Sequence, residues 1–188
     1  MRKPDAVLVS PSQPVRSLAQ LKQYDAVLVY SDTSFNDATQ LGNVLADYMD
    51  GGGGVVLTTF DFWNDNGLGL LGRIVTAGYL PFTTATQTQG VTLTLSAVLP
   101  QHPILNGVKS FSGGTSSYHN SPISVTSGST LVANWSNGEP LIATKIPTLG
   151  RIVGVNFYPP SSDVRGDFWV SSTDGALIMG NALIWAAP

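Results

Sequence analysis

The chain has 188 residues, a length that suits a single domain able to bury most of its apolar surface. Only 11% of the residues are charged, and the net charge is −3. Apart from Arg2 and Lys3, the nine Lys and Arg residues stand singly, so nucleic acid, which attracts clustered positive charge, is not an expected partner. No apolar run approaches the roughly 20 residues that span a bilayer, so no membrane is expected either. The lack of cysteine excludes disulfides, thiolate metal sites and thiol catalysis.

The composition also bears on where the protein works. With so few ions, its surface must be built largely from hydroxyls and amides, as is commoner in secreted than in cytosolic bacterial proteins. We therefore predict an extracellular or secreted protein. The first five residues include two basic ones with no apolar segment behind them, so they do not form a signal peptide, and an export signal is expected outside this chain.

The first predicted elements form a strand–helix–strand unit. Asp5–Ser10 and Asp25–Tyr30 are short apolar, β-branched runs, typical of strands covered on both faces. Between them, Ser17 and Gln20 form a capping box that opens a short helix. Because the connection passes through a helix, the two strands are predicted to be parallel.

The clearest predicted helix spans residues 37–50. Asp37 is its N-cap, and its apolar residues fall on one stripe at helical spacing. Gly51–Gly54 end the helix, and Val55–Thr59 follows as another buried strand. This order predicts a third parallel strand, joined to the second by a right-handed crossover.

The second half of the chain predicts a hairpin, a buried strand and a final helix. Thr130–Trp135 and Leu141–Ile146 flank an Asn-Gly pair, which is a strong hairpin signal. Arg151–Phe157 is the buried strand. The helix Gly175–Ala186 is apolar on most sides, so we expect it to pack into the sheet with Trp185 in the core.

Six segments stand in a characteristic order along the chain: Tyr24–Val29, Gly51–Gly54, Val55–Thr59, His102–Ile104, Gly150–Val153 and Asn181–Ala187. The first three resemble the middle of class I glutamine-amidotransferase-like domains. The last three are similar to trehalose-utilisation (ThuA-like) proteins and related bacterial extracellular modules. The resemblance implies that residues 1–188 form one α/β domain of flavodoxin-like fold, a mostly parallel sheet flanked by helices, to which the hairpin is added.

The chain departs from the catalytic members of that family at both positions that matter for their chemistry. In those members, the strand that matches Val55–Thr59 leads into a strained turn that carries a cysteine nucleophile. Here the turn is Thr59–Asp61, and no histidine stands at Phe157–Pro159, where the family's catalytic histidine would follow a later strand. The resemblance therefore implies the fold without amidotransferase activity.

The start of the chain also differs from the family. The family has another strand and helix before the segment that matches Asp25–Val29, whereas 24 residues precede it here. We therefore expect a domain shortened at its N-terminus. A missing strand leaves an exposed sheet edge, and a second copy of the chain pairing there would make a homo-oligomer.

Acidic side chains follow three of the predicted parallel strands. Asp32, Asp61 and Asp163 stand where the ligand crevices of open parallel sheets lie, beyond the carboxyl ends of the strands. Asp61 and Asp65, in a loop rich in side-chain oxygens, are candidate ligands of Ca²⁺, and the alternative is a turn whose side chains bond their own backbone. Asp61 and Asp163 would also serve as a general acid/base pair, against the alternative of solvated carboxylates.

The two histidines have different interpretations. His119 lies in a loop of small and hydroxyl-bearing residues, where it would act as a base for Ser116 or Ser117. The alternative is an ordinary surface histidine. His102 precedes a proline and is interpreted as a structural turn residue that holds its loop through a polar contact.

Aromatic side chains fall at the ends of the predicted strands, close to these acids. Phe60, Trp63 and Tyr158, together with Asp32, are candidate contacts for a small-molecule or carbohydrate ligand, because flat rings bind sugars and apolar groups. Filling the core is their alternative role. Two function classes follow. The first is a non-catalytic binding or assembly module, and the second is a hydrolase of ester, lactone or glycosidic substrates that uses the carboxylates, with or without a divalent metal.

Overall fold

A mixed seven-stranded sheet organises the chain, of which the computed structural model describes residues 8–9, 15–64 and 68–188. The strands in chain order are β1 (Leu8–Val9), β2 (Ala26–Val29), β3 (Gly54–Leu57), β4 (Gln87–Gln89), β5 (Leu95–Ala97), β6 (Tyr118–Asn120), β7 (Thr130–Trp135), β8 (Pro140–Lys145) and β9 (Ile152–Val155). The α-helices are α1 (Leu18–Leu21), α2 (Ala38–Asp50), α3 (Arg73–Thr76) and α4 (Gly175–Ala186). Short 3-10 helices lie at Thr59–Phe62 and Pro103–Leu105.

The sheet divides into a parallel and an antiparallel half. Its strand order is β1-β2-β3-β9-β8-β7-β5, and β4 pairs with β6 in a separate ribbon. The strands β1, β2, β3 and β9 are parallel, and β8, β7 and β5 continue the sheet in antiparallel pairing. The predicted parallel arrangement of the first three strands is confirmed, and it fits a helix crossover between each pair.

The central strands are apolar at every position because helices cover both faces of the sheet. In β2, Val27 and Val29 belong to the core on the side of α2, whereas Ala26 and Leu28 belong to the core on the side of α4. This alternation is the two-residue period of a strand. The sheet therefore separates two cores, which we call the α2-side core and the α4-side core.

Local capping starts the first two helices as the sequence predicts. The side chain of Ser17 accepts a hydrogen bond from the backbone N–H of Gln20, and the capping box is complete. Asp37 Oδ1 accepts from the N–H of Gln40 at 2.8 Å, which fixes the first turn of α2. The apolar stripe of α2 then packs on the sheet, with Leu41 and Leu45 almost wholly buried.

The hairpin is part of the main sheet. β7 and β8 pair antiparallel around the turn at residues 136–139, where the N–H of Trp135 donates to the carbonyl of Glu139 at 2.7 Å. Gly138 has φ +91°, which an L side chain rarely adopts and which explains the Asn-Gly sequence. β8 also pairs with β9, so the hairpin joins the antiparallel half to the parallel half.

The final helix is less buried than its composition predicts. In α4 the buried residues are Gly175, Ile178, Ala182 and Ala186. The side of α4 away from the sheet carries Ile184, which is 65% exposed. Trp185 is half-buried, so its predicted place in the core is wrong: it packs against the α4-side core from outside. The cause is that no second layer covers this side of the helix in the described residues.

Among the described residues, no helix is both long and apolar enough to cross a bilayer.

Candidate functional site

The candidate site lies at the edge of the sheet where β2, β3 and β9 end. These strands are parallel, so their following segments emerge at one edge, as the sequence predicts for Asp32, Asp61 and Asp163. Six aromatic rings gather there, and we call them the aromatic rim: Tyr30, Phe60, Trp63, Tyr118, Tyr158 and Phe168. Such crevices at strand ends are the usual ligand sites of open parallel sheets.

Phe60 is at the centre of the aromatic rim. Its ring centre lies 5.0 Å from that of Tyr158, 5.1 Å from that of Tyr118 and 5.8 Å from that of Trp63, on which it stacks. Phe168 lies edge-on to Tyr158 at 4.9 Å. Phe60 and Tyr158 are buried, whereas Trp63, Tyr118 and Phe168 remain partly exposed. The predicted ligand residues are thus in one cluster whose outer rings face solvent.

A charged group stands beside these rings. Asp32 is exposed, and the hydroxyl of Tyr158 donates a hydrogen bond to it. Burial raises the pKa of Tyr158, and the negative charge of Asp32 raises that pKa further. The guanidinium of Arg165 lies 3.9 Å from the Asp32 carboxylate. The aromatic rim therefore offers flat apolar surface next to one anion and one cation.

The hydroxyl of Thr59 is held by amides. It is fully buried at the end of β3, with its Oγ1 2.8 Å from Asn120 Oδ1 and 3.1 Å from Asn156 Oδ1. Asn156 Nδ2 in turn donates to the backbone carbonyls of Asn120 and Pro140. An amide oxygen is too weak a base to take the proton from a threonine nucleophile. In this chain, the turn where the family's catalytic members carry cysteine is therefore part of a buried hydrogen-bond network.

Asp61 occupies a structural position. Its side chain is completely buried, and its Oδ2 accepts from the backbone N–H of Thr58 at 2.7 Å, which caps the 3-10 helix. Burial raises the pKa of the Asp61 carboxyl well above its usual range, although the bonds from Thr58 oppose that shift. Oδ1 is buried with no hydrogen-bond partner in the described structure. Asp61 thus does not face solvent at the aromatic rim, contrary to its expected role as an acid/base or metal ligand.

The predicted carboxylates have separate partners. Asp163 is exposed and accepts a hydrogen bond from the hydroxyl of Ser161, whereas Asp32 contacts Tyr158 and Asp61 contacts Thr58. Asp65, the second predicted calcium ligand, lies outside the described residues. Within residues 15–64 and 68–188, no group of three or more His, Cys, Asp or Glu side chains is placed to hold a metal ion. The acid/base pair of Asp61 and Asp163 stays a prediction, and these contacts do not favour it, because burial and local capping hold Asp61 inside.

His119 is neither a surface residue nor the partner of a serine. It lies in β6 with a ring that is 2% exposed, and its Nε2 is 3.4 Å from Glu139. The hydroxyl of Ser117 instead donates to the carbonyl of Val91 at 2.7 Å. Burial lowers the pKa of His119, and Glu139 partly offsets that effect. Ser117 and His119 therefore have separate partners, and the described contacts include none between His119 and either predicted serine.

His102 has the structural role in its turn that the sequence predicts. Its Nδ1 accepts a hydrogen bond from the N–H of Ile104 at 3.3 Å and caps the second 3-10 helix. The residues that the sequence analysis did not identify are the buried amides Asn120 and Asn156 and the rim rings Tyr30, Tyr118 and Phe168. No local pattern indicates the two amides, because Thr59 lies 61 positions from Asn120 and 97 from Asn156.

No protein-family model and no curated protein matches the sequence. Solved structures do match. A cytoplasmic protein of Salmonella typhimurium LT2, STM1381, is 14% identical with a TM-score of 0.70, covering 95% of this chain and 78% of its own. A protein of Bacteroides uniformis described as ThuA-like is 15% identical with a TM-score of 0.62, covering 90% and 72%.

The likeness extends to a chain whose description names a GMP synthase. That protein, from Thermoplasma acidophilum, is 11% identical with a TM-score of 0.51, covering 90% of this chain and 76% of its own. At such identities the likeness shows the fold alone. The chain therefore has the fold of ThuA-like and glutamine-amidotransferase-like proteins.

Proposed function

We propose that this chain is a non-catalytic binding module on a glutamine-amidotransferase-like scaffold, with the aromatic rim as its ligand site. One observation carries the proposal. At the strand end where catalytic members of that family hold their nucleophile, Thr59 is fixed between two buried amides and Phe60 is the centre of a cluster of rings. This position binds aromatic neighbours and holds no activated nucleophile.

The surroundings of Thr59 support binding over hydrolysis. Tyr158 stands in the segment where the resemblance places a catalytic histidine, and its raised pKa keeps it a neutral phenol at physiological pH. The carboxylates that a hydrolase would use have separate partners, with Asp61 buried and Asp163 at an exposed turn. A general acid and a general base must both reach the same substrate bond. This arrangement therefore favours the binding module over the alternative hydrolase.

The chemistry of the aromatic rim indicates the kind of ligand. The partly exposed rings of Trp63, Tyr118 and Phe168 offer flat faces to an apolar surface, and Asp32 with Arg165 offers polar contacts beside them. A carbohydrate, or a small molecule with an apolar face and hydroxyls, matches both features. The ligand class of this site is thus small and amphipathic.

Substitution of Trp63 tests the proposed site. Binding of neutral and acidic oligosaccharides is measured by calorimetry for the wild type, for Trp63→Ala and for the control Tyr24→Ala, which removes a ring at the opposite edge of the sheet. Loss of one aromatic platform should weaken binding by about tenfold or more. Tyr24→Ala should bind as the wild type does. Equal affinity of Trp63→Ala and wild type for every oligosaccharide tested, with both folded, would overturn the aromatic rim as the site.

Two wider features belong to the same proposal. The low charge supports work outside the cell, which secretion of the full-length protein from its native host would test. β1 and β5 are the outer strands of the sheet, and pairing of a second copy along either edge would make a homo-oligomer. Light scattering at increasing concentration measures this directly, since a dimer doubles the mass.

A further inference from the structure

A concave surface lies away from the aromatic rim. It is a groove of about 590 Å³ between α4 and residues 100–107, within the roughly 300–1,000 Å³ typical of ligand sites. The end of α4 that lines it is at the other end of the sheet, because Ala186 packs against Gly54, where β3 begins. The groove is therefore separate from the strand ends that form the aromatic rim. The residues that line the groove include Gln101, His102, Asn106, Asn181, Ile184 and Trp185.

Hydrogen bonds hold the two walls of the groove together. Asn181 Nδ2, on α4, donates to the carbonyl of Ile104 at 3.0 Å and to the carbonyl of Asn106 at 2.9 Å. Trp185 is fixed from two directions: the ring of His102 lies 5.6 Å away, and the guanidinium of Arg151 lies 5.5 Å from the indole centre. A preformed site loses little conformational entropy when a ligand binds.

The lining of the groove mixes polar and apolar side chains, and its described residues include no Asp, Glu, Lys or Arg. Burial lowers the pKa of His102, so its ring is neutral at pH 7. Its Nδ1 accepts from the N–H of Ile104, which leaves the hydrogen on Nε2 as a donor. Both amide hydrogens of Asn181 are engaged, so its Oδ1 is the group left to accept. Gln101 and Asn106 add two exposed amides.

We propose that this groove binds a neutral oligosaccharide. The indole of Trp185 and the side chain of Ile184, which is 65% exposed, give apolar surface for the C–H face of a sugar ring. The amides and His102 Nε2–H pair with hydroxyls, which both donate and accept. A cationic ligand would find no carboxylate in the lining, and for an anionic ligand the guanidinium of Arg151 is held on the indole and donates to the carbonyl of Trp185. A proline-rich peptide would use the indole but leave most of these amides unpaired.

A glycan-binding experiment with two matched tryptophan variants tests the proposal. The probes are the hexasaccharides of cellulose, xylan, mannan and starch, with a proline decamer as the competing class, and affinities are measured by calorimetry. Trp185→Ala is compared with Trp63→Ala, and thermal melting establishes that each is folded. If Trp185→Ala is unstable, Gln101→Ala combined with Ile184→Ala replaces it, since both of those side chains are exposed.

The expected result is binding of at least one hexasaccharide that weakens about tenfold in Trp185→Ala, or severalfold in the double variant, and is retained in Trp63→Ala. Three results would overturn the groove proposal. They are the absence of binding to all four hexasaccharides, binding that only Trp63→Ala weakens, and tighter binding of the proline decamer. The second of these would still support the aromatic rim, so the two proposals fail separately.

Discussion

The two main helices cover opposite faces of the same sheet, yet they differ in how well composition describes their burial. α2 is amphipathic, and its apolar stripe is the face that the sheet buries. α4 is apolar on nearly all sides, yet it buries only one side and leaves Ile184 in solvent. An amphipathic pattern indicates which face of a helix is buried, because the polar face must lie in solvent. A uniformly apolar helix carries no such information, so the elements that pack against it determine which face is buried.

The exposed side of α4 is also where the groove lies. Its apolar residues are not covered by another layer of the described structure, and residues 100–107 stand beside them. On α2 itself the exposed residues are polar, and two of them, Asp47 and Asp50, pair with Arg73. The two helices thus differ in that α4 exposes apolar side chains such as Ile184, whereas the exposed residues of α2 are all polar.

The largest effect is expected within α4 itself. Ile178 is fully buried in the α4-side core, so Ile178→Ala should lower the free energy of unfolding by about 2–5 kcal/mol. Ile184→Ala is the matched control on the exposed side of the same helix and should change it by less than about 0.5 kcal/mol. Urea denaturation gives both values. Equal losses in the two variants would mean that α4 is covered on both sides in solution.

Helix glycines should respond in opposite directions on the two sides. A Cβ at Gly42 in α2 would overlap the backbone carbonyl of Leu71, so Gly42→Ala should destabilise the protein by about 1–3 kcal/mol. At Gly180 in α4 a Cβ meets nothing within 4 Å, so Gly180→Ala should stabilise it by roughly 0.5–1 kcal/mol through helix propensity. Thermal melting of both variants measures the contrast, and stabilisation by Gly42→Ala would refute the close packing of α2.

A smaller effect should appear in the pH dependence on the α2 side. Asp61 adjoins that core, since its carbonyl accepts the N–H of Leu70, and burial raises the pKa of its carboxyl. Between the ordinary and the raised pKa, the folded protein keeps a proton that the unfolded chain has released. The free energy of unfolding therefore falls as the pH rises through this window. Asp61→Asn, which resembles the protonated form, should remove that dependence.

Denaturation of wild type and Asp61→Asn at several pH values between about 4 and 8 measures the pH dependence of the free energy of unfolding. The free energy of unfolding of Asp61→Asn should rise relative to that of the wild type as the pH rises, and the variant should be the more stable protein at neutral pH. A wild type that instead gains on Asp61→Asn with rising pH would show that the carboxylate is the stabilised form in the folded protein.

The smallest effect, of opposite sign, is expected on the α4 side. His119 lies 6.1 Å from Trp135 of that core, and burial lowers its pKa while Glu139 opposes the shift. Below about pH 6.5 the unfolded chain takes up a proton that the folded protein does not yet accept. Stability should therefore fall as the pH drops from about 6.5 to the lowered pKa.

His119→Gln should reduce that acid-side loss. The pKa of His102 is also lowered, so the comparison is made in a His102→Asn background, where the asparagine oxygen keeps an acceptor for the N–H of Ile104. An unchanged pH dependence after His119→Gln would show that Glu139 compensates the burial of His119 completely.

Local patterns determined a large share of this fold. The apolar runs of β2 and β3, the caps at Ser17 and Asp37 and the Asn-Gly turn were all visible in the sequence, and the structure has each of them. They could be predicted because each depends on residues two to four positions apart, through the strand period, the helical turn or a capping hydrogen bond. The parallel order of the first strands follows from these elements and the length of their connections.

Only the tertiary structure decided the chemistry of the site. Thr59 meets Asn120 across 61 positions and Asn156 across 97, and no local pattern relates them. The same holds for Asp61 and His119, which the sequence placed in solvent and the structure buries. The role of a polar side chain, as a catalyst, a helix cap or part of a buried hydrogen-bond network, depends on which distant segments cover it. Burial and the hydrogen-bond partners in those segments set both the pKa of the side chain and its access to a ligand.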